Sequence, residues 1–230
     1  MAFEFEERAT QGAKVLPERV AFVRSVYLWL MAGFGVAALG AVGALASLPM
    51  LSRLPVSGRA FMWILFFAQM GAVFFASAVS RKRPLNILAY GLFTGISGYV
   101  AGLISLMVAA GSGYKVVLAA AGLTAGVFLA LTATAFVSKK DFSFLRSFVV
   151  VGIAIAFFGW LIAIFFNLPS LSLVVSAVVV IAFSAKLLWD TSAMLRTDAL
   201  DDAAGFALSL FVSLYNIFIS LLNLLGNRRS

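Results

Sequence analysis

Acidic side chains are the scarcest chemical resource in this sequence. Of nine, Glu4, Glu6, Glu7 and Glu18 precede the first long apolar segment, Asp141 sits in a polar loop, and Asp198, Asp201 and Asp202 lie between the last two apolar segments. Only Asp190 falls near membrane depth. A second polar feature lies in Phe206–Leu225, where Ser209, Ser213, Asn216, Ser220 and Asn223 follow steps of 4, 3, 4 and 3. That spacing stacks them on one side of an α-helix. The rest of the segment is almost wholly Leu, Ile, Phe, Val and Ala. Such a helix is expected to meet lipid on its apolar sides and a polar interior, either protein or water, along the stripe.

Two readings stand open for Asp190. As an interfacial carboxylate it pairs with Lys186 four residues earlier, or with Arg196, for a few tenths of a kcal/mol. As a carboxylate facing the bundle interior it becomes a gate, because burial disfavours the charged form while a nearby cation favours it. Enzymatic chemistry is not expected. The sequence has no cysteine and no histidine, which removes disulfides, thiolate or imidazole metal sites and a histidine-assisted serine nucleophile. Intramembrane aspartyl proteolysis needs two facing carboxyls, and the last segment has no lysine for a Schiff base. Calcium prefers six to eight oxygens, usually with carboxylates. Any calcium contact at Asp190 is therefore expected to be weak, and no cofactor is expected.

The elements that must position these groups are membrane helices. The chain is 63% hydrophobic and 11% charged, with a mean hydropathy of +1.08. A bilayer core needs about 20 apolar residues per helix. Seven segments qualify: Val26–Leu48, Phe61–Ser80, Leu85–Ala110, Tyr114–Val137, Phe144–Phe166, Leu171–Trp189 and Ala203–Leu225. The expected fold is all-α, one polytopic seven-helix bundle over residues 25–226. Residues 1–24 form an amino-terminal tail, with a surface helix beginning near Pro17 as one option, and residues 227–230 a carboxyl-terminal tail. The apolar run from Val26 is long enough to span and follows a polar stretch, so no cleaved leader is expected.

The net charge of +8 follows topology. Twelve of the 17 Lys and Arg fall on the amino-terminal side of the spans; Arg53, Arg59, Lys115, Arg228 and Arg229 fall on the other. The positive-inside rule then sets the amino terminus in the cytoplasm and the carboxyl terminus outside. Nucleic acid is not an expected partner; the lipid bilayer is. Counted from Leu171, Asp190 lies about 28 Å along its helix, near the cytoplasmic boundary.

Glycines 91, 95, 98 and 102 follow steps of 4, 3 and 4 along the third span, and Gly122 and Gly126 share a turn of the fourth. Both read as small faces where another helix approaches closely, with pore lining as the rival for the third span. Trp29, Trp63, Trp160 and Trp189 near span ends suggest an interfacial belt. Pro49, Pro55, Pro84 and Pro169 fall at boundaries, and no internal repeat is evident, which disfavours a proton-coupled transporter with broken helices.

Two stretches carry a family resemblance. The sixth span ends in Trp189-Asp190-Thr191-Ser192, and the seventh reads Ala207-Leu208-Ser209-Leu210-Phe211-Val212-Ser213-Leu214-Tyr215-Asn216-Ile217-Phe218 before Leu224-Leu225-Gly226-Asn227-Arg228-Arg229. Lys139-Lys140-Asp141-Phe142-Ser143 and Thr94-Gly95 fit as well. Together they resemble the Bax inhibitor-1 family, over nearly the whole chain from about Lys14. The resemblance implies a bacterial inner-membrane protein and a calcium or cation leak path. In that family, two aspartates on helices six and seven share a proton, latched by an arginine of helix two.

Carried onto this chain, Asp190 matches the helix-six aspartate. Ser213 stands where the second aspartate would be, and Ser77 where the arginine would be, with Arg81 one turn further on. Lys186 occupies a position that the resemblance would make apolar. A shared-proton dyad is therefore not expected. The expected substitute is a latch from Asp190 to Ser213 and Asn216, with Lys186 or Arg81 as counter-ion, and a weaker or acid-shifted pH response. The rival expectation is a non-conducting interaction protein that modulates a membrane protease or stress response.

Overall fold

In a computed structural model of the chain, described over residues 2–51, 57–138 and 140–227 (backbone alone for 2–16 and Arg59), all regular structure is helical. The seven helices are α1 (Ala2–Leu51), α2 (Gly58–Ala78), α3 (Leu85–Ser112), α4 (Tyr114–Ser138), α5 (Leu145–Phe165), α6 (Pro169–Arg196) and α7 (Ala203–Gly226). Each includes a stretch long and apolar enough to cross a membrane. Arg53, Pro55, Lys139, Arg228 and Arg229 lie outside the described residues, as do the side chains of Glu4, Glu6, Glu7, Arg8, Lys14 and Arg59.

Local chemistry sets the helix ends. Ser57 caps α2 by accepting from the Ala60 amide at 3.3 Å, and Asp202 caps α7 by accepting from the Gly205 amide at 3.1 Å, each satisfying an amide left over in the first turn. Pro169 opens α6, where its missing N–H costs nothing. The one-residue turn between α3 and α4 needs the left-handed region, which Gly113 supplies at φ 86°.

Two boundaries differ from the sequence reading. Residues 17–25 do not begin a separate surface helix; Pro17 lies inside α1, and Phe22, 4% exposed, packs edge-on against Phe206 of α7. In addition, α6 continues seven residues past Trp189. The polar run Asp190-Thr191-Ser192 ends the apolar pattern but not the helix, because each side chain finds a partner: Thr191 on the Leu187 carbonyl, Ser192 on the Lys140 carbonyl, and Asp190 as described below.

The stripe-bearing helix α7 is the centre of the bundle, packed by α1, α3, α4 and α6 and more lightly by α2. None of its residues is exposed, and Leu210, Ile217 and Leu222 are fully buried. Its apolar sides therefore meet other helices instead of lipid, as a helix apolar all round should. Lipid-facing side chains belong to the outer helices, for example Leu39, Phe74, Val137 and Phe165.

Small residues fix the longest contact, α1 against α3. A Cβ added at Gly98 would run into the Ala37 backbone, one at Gly102 would come within 2.8 Å of the Ala41 Cα, and one at Gly40 would strike the Gly95 carbonyl. Gly95 itself has ordinary contacts and Gly91 faces open space. The third-span glycines thus serve packing at Gly98 and Gly102 only. Gly122 and Gly126 correct the other expectation: nothing lies within 4 Å of either. The tryptophans are half-buried, with Trp29 edge-on to Tyr90 and Trp63 against Trp160.

Candidate functional site at the hairpin of the last two helices

Helices α6 and α7 form an antiparallel hairpin whose loop covers residues 197–202. Residues equally distant from such a loop face each other. Asp190 lies seven residues before it and Ser209 seven after; Ser176 and Asn223 each lie 21 away. Both pairs are in contact. This register decides which polar groups meet.

At the loop-proximal level, Lys186, Asp190 and Ser209 form a closed triangle. The Lys186 ammonium donates to Asp190 Oδ2 at 2.5 Å and to Ser209 Oγ at 2.5 Å, and the Ser209 hydroxyl donates to Asp190 Oδ2 at 2.8 Å. The Lys186 and Asp190 side chains are only 16% and 11% exposed. Asp190 thus points into the bundle and is paired there, so the two sequence readings are both partly met: it is interior, and Lys186 is its counter-ion. Removing a charge from a buried pair strands the other, typically at about 3–5 kcal/mol.

The expected latch to Ser213 and Asn216 does not form. Ser213 donates to the Ser209 carbonyl at 3.0 Å and Asn216 to the Val212 carbonyl at 2.8 Å, each one turn back on its own helix. They sit one and two turns deeper than Asp190 can reach, and a polar group without a cross-helix partner satisfies itself on the i−4 carbonyl. Nor does Arg81 reach Asp190. It pairs with Asp202 at 3.5 Å, and Ser77 is exposed. Further along the stripe, Asn223 donates to Ser172 and Ser176 at 2.9 and 2.8 Å, and Ser220 is buried.

Around the triangle, the same end of the bundle is fastened by charge. Arg19 donates to the Leu195 carbonyl at 2.7 Å and to Asp198 at 3.4 Å, and Arg196 pairs with Asp141 at 3.2 Å. The Asp141 carboxyl is held below the usual carboxylate range, first by the Ser143 backbone N–H and also by Arg196. Its bond from the Ser143 amide, 2.8 Å long, closes the loop between α4 and α5. Sequence reasoning missed Arg19, Asp198 and Asp202 as fasteners.

A cavity of about 1090 Å³ occupies the opposite half of the bundle. Its wall is mostly Phe, Leu, Val, Ile, Met and Trp, with Gln69, Ser172, Ser176, Tyr215, Asn216, Ser220 and Asn223 as its polar members; among the described residues no charged side chain lines it. Among the described residues no three His, Cys, Asp or Glu side chains converge. The Asp190 carboxylate, where the sequence placed a weak calcium contact, is engaged by the Lys186 ammonium.

Comparison with known proteins places the chain in a lineage. A family model described as "Inhibitor of apoptosis-promoting Bax1" matches residues 19–230. A protein of Escherichia coli K12 named "Modulator of FtsH protease YccA" is 35% identical over 164 residues, 71% of this chain and 74% of the relative. An uncharacterised membrane protein of Vibrio cholerae is 33% identical over 164 residues, covering 71% and 73%. An uncharacterised protein of Campylobacter jejuni is 30% identical over 211 residues, covering 91% and 89%.

Proposed function

The chain belongs to the Bax inhibitor-1 family, and from that premise we propose that it is a non-enzymatic bacterial inner-membrane protein that modulates a membrane protease by helix contact. The observation that carries this reading is the 35% identity to the relative named as a modulator of the FtsH protease. The site is consistent with it. An interaction protein needs a rigid bundle, and the buried Lys186–Asp190–Ser209 triangle pins α6 to α7 without leaving an ionisable group free. Seven spans give the protein ample lipid-embedded surface for a partner helix.

The second reading is a calcium or cation leak with weaker or acid-shifted pH gating. It is favoured by one feature, a carboxylate inside the bundle at the head of a polar stripe. Against it stand the ammonium bonded to that carboxylate and the uncharged cavity beyond. Its cytoplasmic amino terminus, expected from the charge bias, belongs to both readings.

The test is paired. Tagged full-length chain cross-linked in native membranes is expected to recover the FtsH protease, and its deletion to change the turnover of a membrane substrate of that protease. Proteoliposomes of the purified chain are expected to hold a calcium gradient from pH 8 to 5. Rapid calcium release that Asp190→Asn abolishes, with no protease recovered, would overturn the proposal in favour of the leak.

A further inference from the structure

The cavity is enclosed by an incomplete ring of helices. Around it α2 packs on α3, α3 on α7, α7 on α6 and α6 on α5. The ring stops there, because α5 packs closely along α6 alone. Gly152 and Gly159 of α5 sit against Ala182 and Val175 to make that contact. Across the gap, α5 and α2 meet through rings: Trp160 lies 4.8 Å from Phe66 and 5.8 Å from Trp63. Outside those rings Phe67, Phe158 and Phe165 are 64, 62 and 74% exposed, so the gap faces hydrocarbon.

A space of this size cannot be left empty, since its whole lining would forfeit the contacts that close packing supplies. Water is a poor filler. Buried water needs two to four polar partners, and donors on the wall are already engaged within the protein: Gln69 donates to Ser97 and accepts from Tyr215, Asn216 donates to the Val212 carbonyl, and Asn223 donates to Ser172 and Ser176. An ion is poorer still, with no charge among the described residues of the wall to meet it. We infer that the cavity is a lipid site, taking one acyl chain of a membrane phospholipid that enters from the bilayer between α2 and α5 past Trp63 and Trp160.

This inference goes beyond the protease reading and does not depend on it. The test uses full-length protein purified with palmitoyl-oleoyl phosphatidylglycerol and native mass spectrometry. Wild type is expected to retain a phospholipid. Val179→Phe or Ile219→Trp, which fill the cavity, should reduce retention several-fold, whereas Val174→Phe on the exposed side of α6 should not. Equal retention by all four would put the lipid on the outer surface and overturn the site.

A second variant guards against misfolding of the filled proteins. The native chain has no cysteine, so Ser220→Cys is a unique reporter inside the cavity. In proteoliposomes it should react with membrane-soluble N-ethylmaleimide several-fold faster than with a charged, impermeant maleimide. Comparable rates would mean a water-filled space and overturn the proposal. Protease recovery on the same variants is read separately, so failure of one inference is distinguishable from failure of the other.

Discussion

At the end where α6 turns into α7, four ion pairs among the described residues and a run of side-chain hydrogen bonds tie together α1, α6, α7, the loop between α2 and α3 and the loop between α4 and α5. In the opposite half a cavity uncharged among its described residues opens between the helices, and α5 meets α2 through aromatic rings. Polar contacts between buried charges are directional and costly to part, whereas aromatic pairs gain only about 0.5–1.5 kcal/mol each and part more easily. The first half is therefore built to keep its shape, and the second to admit something between its helices. The exposed pairs contribute little each, so the fastening depends mainly on the buried triangle.

Cutting that triangle should have the largest effect. Asp190→Ala strands the Lys186 ammonium and is expected to destabilise the detergent-solubilised protein by about 3–5 kcal/mol in thermal or denaturant unfolding. The double variant Lys186→Met with Asp190→Leu should recover most of that loss or more, because replacing a buried pair by apolar groups is often neutral. A double variant as unstable as the single would show that the charges are not a closed pair.

Glycine substitutions compare a packed helix face with an open one. Gly98→Ala forces α1 off α3 and is expected to cost about 1–3 kcal/mol. Gly122→Ala meets open space and should instead stabilise α4 by up to about 1 kcal/mol. Equal costs at both sites would mean that α4 is closely packed by something in solution.

Along the stripe, Ser209→Ala removes a hydroxyl bonded to two charged groups, for about 1.5–3 kcal/mol. Ser213→Ala loses only a bond to its own helix and should change the unfolding midpoint very little. The reverse order would restore Ser213 as the partner of Asp190.

The smallest effect concerns Asp141. Its folded carboxyl titrates below the ordinary range, so the loop gains stability above about pH 4 and loses it as pH falls through the lowered value. The Ser143 amide shift in NMR should follow that acid transition and become pH-independent in Asp141→Asn.

How much of this was legible in the sequence depends on what each pattern can distinguish. Seven spans follow from apolar length alone. The partner of Asp190 was not legible: the apolar pattern ends the sixth span at Trp189, and only the seven further helical residues to Arg196 leave a six-residue loop whose register sets Ser209 opposite Asp190. The family resemblance drew attention to Ser213 instead, one turn too deep. Other features had no such signal. Lipid and buried leucine are equally apolar, so α7 reads the same at the centre as at the surface. Gly98 and Gly122 share the same four-residue spacing with Gly102 and Gly126, and only the crossing of α1 decides which pair is packed. The cavity depends on which helices fail to touch, a property of three-dimensional order that no single segment encodes.

The crossing of α1 by Gly98 and Gly102 also has a consequence for biogenesis. The first helix made packs closely on the third and the last, and not on the second. The first hairpin to enter the membrane therefore has no close backbone contact of its own to settle into. Its leading helix must wait, surrounded by lipid, until Gly98 emerges from the ribosome about fifty residues later, and it gains its second close contact only when α7 arrives. A chain truncated before α3 should insert and yet stay open to degradation, so quality control of this protein begins at its third helix.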